Sequence, residues 1–174
     1  MTYVRSQGFR SIWVKLIVFV VMVGIPVVSF FFVNQYRGTG YKGWRYLDTL
    51  GDPSFALDRQ YHVPIWYAVL AIYGMATYVL WYTNGLVHSI GPLMVSSVKL
   101  LVALMWFPVF FYWEDIEATF TLSAVLWVVN GITMVFYAGM FQMSGMMLIP
   151  EQIWLSYITV WTYFLWDYDG DDST

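Results

Sequence analysis

Apolar positions in this chain neither alternate nor form a single helical stripe. They run on for about twenty residues at a time, interrupted only by short polar or turn-forming segments. Runs of that kind match the roughly 17–25 residues of helix needed to cross a hydrocarbon core. Five of them predict helices over residues 11–33, 63–83, 91–113, 118–140 and 148–167. The second opens at "VPIW", with Pro64 in a first turn where a missing N–H is harmless. The third ends in "LMWFPVFFYWED", where a proline and a group of large rings are followed at once by two carboxylates. Pro108 is tolerable there because neighbouring helices and local adjustment can satisfy the carbonyl it frees, and Glu114 and Asp115 mark the exit into water.

Short connections between the last four runs predict antiparallel neighbours in one bundle. The fold expected is an all-α membrane protein, a five-transmembrane-helix bundle forming one domain over residues 1–174. One loop is long, residues 34–62, and its Trp44, Tyr46, Phe55 and Tyr61 suggest a lid over the bundle rather than a disordered linker. Five crossings would put the termini on opposite sides. Arg5, Arg10 and Lys15 then face Arg37, Lys42, Arg45 and Arg59 across the membrane, a balance that leaves orientation open. The basic residues before the first helix, with no acidic ones among them, fit either an interfacial anchor or a targeting address.

Composition agrees with the pattern: 60% of the residues are hydrophobic and only 11% are charged, too few to cover a soluble domain. With no cysteine there is no thiol chemistry, and two histidines, His62 and His88, are too few for most metal sites. A net charge of −3 without clustered basic residues speaks against nucleic acid. No phosphate loop and no nucleophile with an ordered base is present. Glu114, Asp115 and Glu117 read as a solvated helix connection, and the chain is not read as an enzyme.

Two features carry candidate chemistry. On the fifth helix Trp154, Ile158, Trp161 and Leu165 are spaced to form one stripe. Its two indoles would either sandwich a flat ligand or serve as packing and interface residues. On the third helix Lys99 lies on one face with Ala103, Trp106 and Phe110. An ammonium at membrane depth costs roughly 2.5–3.5 kcal/mol and normally faces a cavity or a partner; snorkelling to an interface is the alternative. The expectation is an inward Lys99 that attracts an anionic ligand group. Glu151, at the predicted start of the fifth helix, is expected to lie too near a membrane face to compete for it.

The stretch "WFPVFFYW", with Trp106, Pro108, Phe110 and Phe111, resembles the third-helix signature of the translocator protein family, also called tryptophan-rich sensory proteins. The second helix is similar to that family's at Pro64, Trp66, Gly74, Tyr78 and Trp81, and the fifth at Pro150, Trp154, Tyr163 and Trp166. Before the second helix, "DPSF" resembles the family's Pro-Ser-Trp, with Phe55 in place of Trp. The likeness covers about residues 43–167. Three departures stand out: Leu57 and Asp58 replace tandem prolines, Ala103 replaces an asparagine, and Asp167 stands where the sterol-recognition pattern has a basic residue.

The resemblance implies a pocket inside the bundle, closed by the loop, that binds porphyrin, heme or other flat apolar ligands, with sterol outside the fifth helix. Taken with the Lys99 face and the fifth-helix stripe, it gives expected ligand contacts at Lys99, Ala103, Trp106, Phe110, Trp154, Ile158, Trp161, Trp66 and Phe55, and no covalent cofactor is expected. Expected partners are membrane lipid and, beyond the ligand, a homodimer or membrane-complex subunits, in a mitochondrial membrane. The other reading is a structural subunit with this fold in a larger assembly such as a respiratory complex; the lost loop prolines and the acidic tail favour it.

Overall fold

Surrounded by hydrocarbon, a backbone can satisfy its N–H and C=O groups only within itself, so long apolar runs have little choice but helix. The computed structural model describes residues 2–36 and 53–171, with side chains described over 12–33, 53–85 and 88–167. Every extended element in it is helical. Helix α1 covers Thr2–Tyr36, and the next helical stretch is Arg59–Phe111. Gly85 breaks that stretch with φ 73° and ψ 168°, values that glycine alone adopts readily. The break separates α2 (Arg59–Gly85) from α3 (His88–Phe111). Helix α4 is Ile116–Met140, the short α5 is Gln142–Met146, and α6 is Ile149–Asp171.

A helix overlaps each predicted run: α1 and α2 extend beyond both expected ends, α3 and α4 start earlier, α3 stops at Phe111, and α6 runs from Ile149 to Asp171. Pro108 lies in the last turn of α3, where its carbonyl accepts from Tyr112 N (2.9 Å) and Trp113 N (3.1 Å) and winds up the terminus. Glu114 then takes a positive φ of 53°, and the Asp115 side chain caps α4 by accepting from Ala118 N at 2.9 Å. The carboxylate pair after the aromatic run is thus a helix exit and a helix start. Tyr112 and Trp113 beside it are exposed, as interface residues are.

The boundary at the other end of the hairpin differs from expectation. Helix α4 stops at Phe141, which is extended, and the chain turns back at once through α5. Gly145 of α5 packs so close to α4 that an added Cβ would lie 2.7 Å from the Cα of Ala138. The return path towards α6 therefore starts at Gln142, several residues before the predicted helix.

Among the described residues four helices are long and apolar enough to cross a membrane: Ile12–Val33, Arg59–Gly85, His88–Phe111 and Ile116–Met140. Helix α6 is long enough but is not among them. Glu151, Gln152, three tryptophans and three tyrosines take the place of aliphatic residues along it. Outward faces carry exposed Met94, Leu101, Val135 and Ile153, a surface suited to lipid rather than water. Helix α1 packs against α2 at Gly74, where a Cβ would meet Met22 O and Val23 Cα at 2.6 Å each, and it drives Phe30 into the core against Tyr67 and Phe107.

Candidate functional site: a buried aromatic cluster above an ion pair

Helices α4 and α6 run antiparallel and are held in register by polar pairs. Asn130 Nδ2 donates to Gln152 Oε1 (2.8 Å), Trp127 Nε1 to Ser156 Oγ (2.8 Å), and Thr159 Oγ1 to the Ser123 carbonyl (3.3 Å). This register carries Glu151 to the level of Asn130, deep in the bundle. There Lys99 of α3 donates to Glu151 Oε2 at 2.7 Å and to Asn130 Oδ1 at 2.9 Å, while its Nζ lies 3.8 Å from the centre of the Tyr73 ring of α2. Lys99 and Glu151 are 1% and 2% exposed. Four helices thus meet on one ion pair.

The expectation that depth separates Glu151 from Lys99 is therefore corrected. Depth counted from the start of α6 places Glu151 near a membrane face, but the chain turns at Phe141, and nine residues of return path bring Glu151 inward. Lys99 does face the interior, yet its ammonium is already matched by a carboxylate, an amide oxygen and a ring face. The Tyr73 hydroxyl turns away and donates to the Ser96 carbonyl (2.9 Å), in a polar cluster completed by Tyr137, the Ser96 hydroxyl and Thr77.

One turn beyond the ion pair the interior becomes aromatic. Trp66 of α2, Trp106 and Phe110 of α3, and Trp154 and Trp161 of α6 are all buried, with Ala103 and Ile158 between them. Trp66 lies 6.0 Å from Trp106 and 6.1 Å from Trp154, Trp106 stacks on Phe110 at 5.1 Å, and Phe110 meets Trp161 at 5.5 Å. Eight of the nine residues expected to line a site are brought together in this way, with Lys99 beneath the rest. Phe55 is not. It sits in a turn before α2, closed by Ala56 N donating to Pro53 O, and its exposed ring packs edge-on against Phe164 on the outer side of α6.

His62 is the residue that sequence reasoning missed. Assigned to the loop and weighed only as a metal ligand, it stands instead in the first turn of α2, four residues before Trp66. Its buried ring makes edge contacts with Trp154 at 5.5 Å and Trp161 at 5.0 Å. Spacing to Trp66 was the available signal. The two indoles of the α6 stripe thus hold a histidine ring between them. Tyr157 closes this end, its hydroxyl accepting from Leu57 N at 2.8 Å and lying 3.4 Å from His62 Nε2. Trp44 and Tyr46, expected in the lid, lie outside the described residues.

The indole N–H groups divide into two classes. Trp106 donates to Ser123 Oγ at 2.7 Å, and Ser123 passes its own proton to the Thr119 carbonyl at 2.8 Å, tying α3 to α4. Trp154 and Trp161 are 6% and 1% exposed, and among the described residues their Nε1 atoms have no hydrogen-bond partner. A buried donor left unsatisfied costs about 1–3 kcal/mol. Two on one helix face, seven residues apart, mark a wall short of acceptors. An open groove of about 620 Å³ lies elsewhere, between α3 and α4, lined by Leu101, Val102, Met105, Leu122 and the acidic Asp115 and Glu117. None of its lining residues belongs to the aromatic cluster.

Compared with known families, residues 8–167 match the model of the TspO/MBR family. No curated protein matches the chain. The family match lends nothing to the reading of a structural subunit in a larger assembly.

Proposed function

The chain belongs to the TspO/MBR family, a translocator-like integral membrane protein, and from that membership we propose that it binds a flat tetrapyrrole, porphyrin or heme, in the aromatic chamber between α2, α3 and α6. The observation that carries this reading is the pair of buried, unpartnered indole donors on Trp154 and Trp161. Polar atoms of a ligand would satisfy both, while Trp66, Trp106, Phe110 and Ile158 offer ring and methyl surface to the macrocycle. Ala103 contributes only a methyl group to the buried wall. Lys99 forms the floor with Glu151, and Phe55 belongs to this reading only as part of the rim. His62 occupies the space between the two indoles, so binding requires its ring to swing aside.

In the same reading α6 is the fifth crossing. The Lys99–Glu151 pair supports it, because pairing removes the largest obstacle to placing α6 in hydrocarbon. In this reading sterol binds only weakly at the outer face of α6, because Asp167 stands where a basic residue is expected, and the basic Arg5 and Arg10 ahead of the first span support a mitochondrial address. Tryptophan-fluorescence quenching of the detergent-purified protein by protoporphyrin tests the main point. Saturable quenching is expected, weakened about fivefold or more by Trp161→Phe, which keeps a ring but removes the donor. Linear, non-saturating quenching would refute it.

A further inference from the structure

Resting on the binding reading above, we infer that Glu151 determines specificity: by cancelling Lys99 it makes the deep end of the chamber electrically neutral, so the protein takes planar amphiphiles that bury an uncharged edge and keep ionised acids at the mouth. The geometry is specific. Glu151 precedes Trp154 by one turn of α6, and Lys99 precedes Ala103 by one turn of α3, so the pair lies directly under the aromatic walls. An ammonium has three protons and no other polar group to offer. Here it donates to Glu151 Oε2 at 2.7 Å and Asn130 Oδ1 at 2.9 Å and rests on the Tyr73 ring at 3.8 Å.

A ligand carboxylate reaching this floor would meet a lysine already matched and a carboxylate of its own sign. Asn130 Nδ2 is engaged as well, donating to Gln152 Oε1 at 2.8 Å. The Lys99 cation is therefore not free to receive an incoming acid. In the binding reading the mouth lies at the His62 end, about three turns of α6 from Glu151, where His62 meets Trp161 and Leu57 N donates to Tyr157. An acid group is therefore turned towards that end, and the uncharged edge of the ring enters first. A lysine that alone would attract anions is, in this chain, prevented from doing so by its partner.

The test compares protoporphyrin with its dimethyl ester, which share one ring and differ only in ionised acids, by quenching titration of the purified protein. Wild type is expected to bind acid and ester within about threefold of each other, because the propionate groups, ionised or esterified, remain at the mouth in both. Glu151→Gln uncovers the Lys99 cation in a poorly hydrated interior and should shift the ratio about tenfold towards the acid. Lys99→Gln with Glu151→Gln, which restores neutrality, should return the ratio to the wild-type value. A wild-type preference for the acid of more than about tenfold would overturn the inference even if no variant folded. A Glu151→Gln ratio unchanged from wild type, or a shift that survives in the double variant, would overturn it equally. Wild type binding neither compound would end the binding reading itself, and the inference with it.

Discussion

Removing either member of the Lys99–Glu151 pair should damage the protein far more than removing both. Lys99→Met leaves a carboxylate that is 2% exposed with its cation gone, and Glu151→Leu leaves an ammonium that is 1% exposed facing a methyl group. Stranding one charge of a buried pair typically costs about 3–5 kcal/mol, whereas replacing the whole pair by apolar residues of similar volume is often neutral or stabilising. The double variant keeps one deficit, because Asn130 Oδ1 loses its Lys99 donor while Nδ2 retains Gln152. That residue of cost is about 1 kcal/mol. The double variant should therefore lie within about 1–2 kcal/mol of wild type, well above either single variant. Unfolding by SDS in mixed micelles, followed by the fluorescence of the ten tryptophans, measures all four corners of the cycle. Costs that simply add, with the double variant worse than either single one, would show that the two charges are not an energetic unit.

Three further outcomes follow from close contacts. Gly74→Ala places a Cβ 2.6 Å from Met22 O and Val23 Cα and should cost about 1–3 kcal/mol by pushing α1 away, while Gly131→Ala, whose nearest contact is 4.0 Å, should be neutral or stabilising; thermal unfolding in detergent compares them. Ser123→Ala strands the Trp106 N–H at a cost of about 1–3 kcal/mol, and adding Trp106→Phe should add less than Trp106→Phe costs alone, because no stranded donor is then left. With Asp167 where a basic residue is expected beside the exposed Tyr163, a photoactivatable sterol should label residues 160–167 only weakly; strong labelling there contradicts this.

What could be read from the sequence was what hydrocarbon itself imposes. Long apolar runs, prolines at helix starts and the carboxylates at 114–115 are answers to a solvent without hydrogen bonds, so elements and their order were visible. The inward direction of Lys99 was visible for the same reason, through the cost of the alternative. Its partner was not. Depth in a bundle depends on where the chain turns, and the extended Phe141 in an apolar stretch, followed by one short helical turn against Ala138, has no proline or charge to announce it. His62 was lost because α2 starts at Arg59, where the polar residues looked like loop. Phe55 rested on the resemblance alone, and a residue in the turn before α2 has freedom that a helical position does not. Which indoles lack acceptors depends on the facing helix: Ser123 lies opposite Trp106, and no equivalent hydroxyl reaches Trp154 or Trp161.

The central claim is that Trp154 and Trp161 hold hydrogen-bond donors in reserve for a flat ligand. The most direct measurement is the indole ¹⁵N–¹H spectrum of the protein in micelles, assigned by single Trp→Phe variants and recorded with and without protoporphyrin. Without ligand, the Trp154 and Trp161 protons should resonate upfield, as unbonded donors do, and the Trp106 proton downfield. On binding, the first two should move downfield while Trp106, still held by Ser123, keeps its hydrogen-bonded position. Unmoved Trp154 and Trp161 signals at saturating ligand, or signals already in the bonded range without it, would contradict the account.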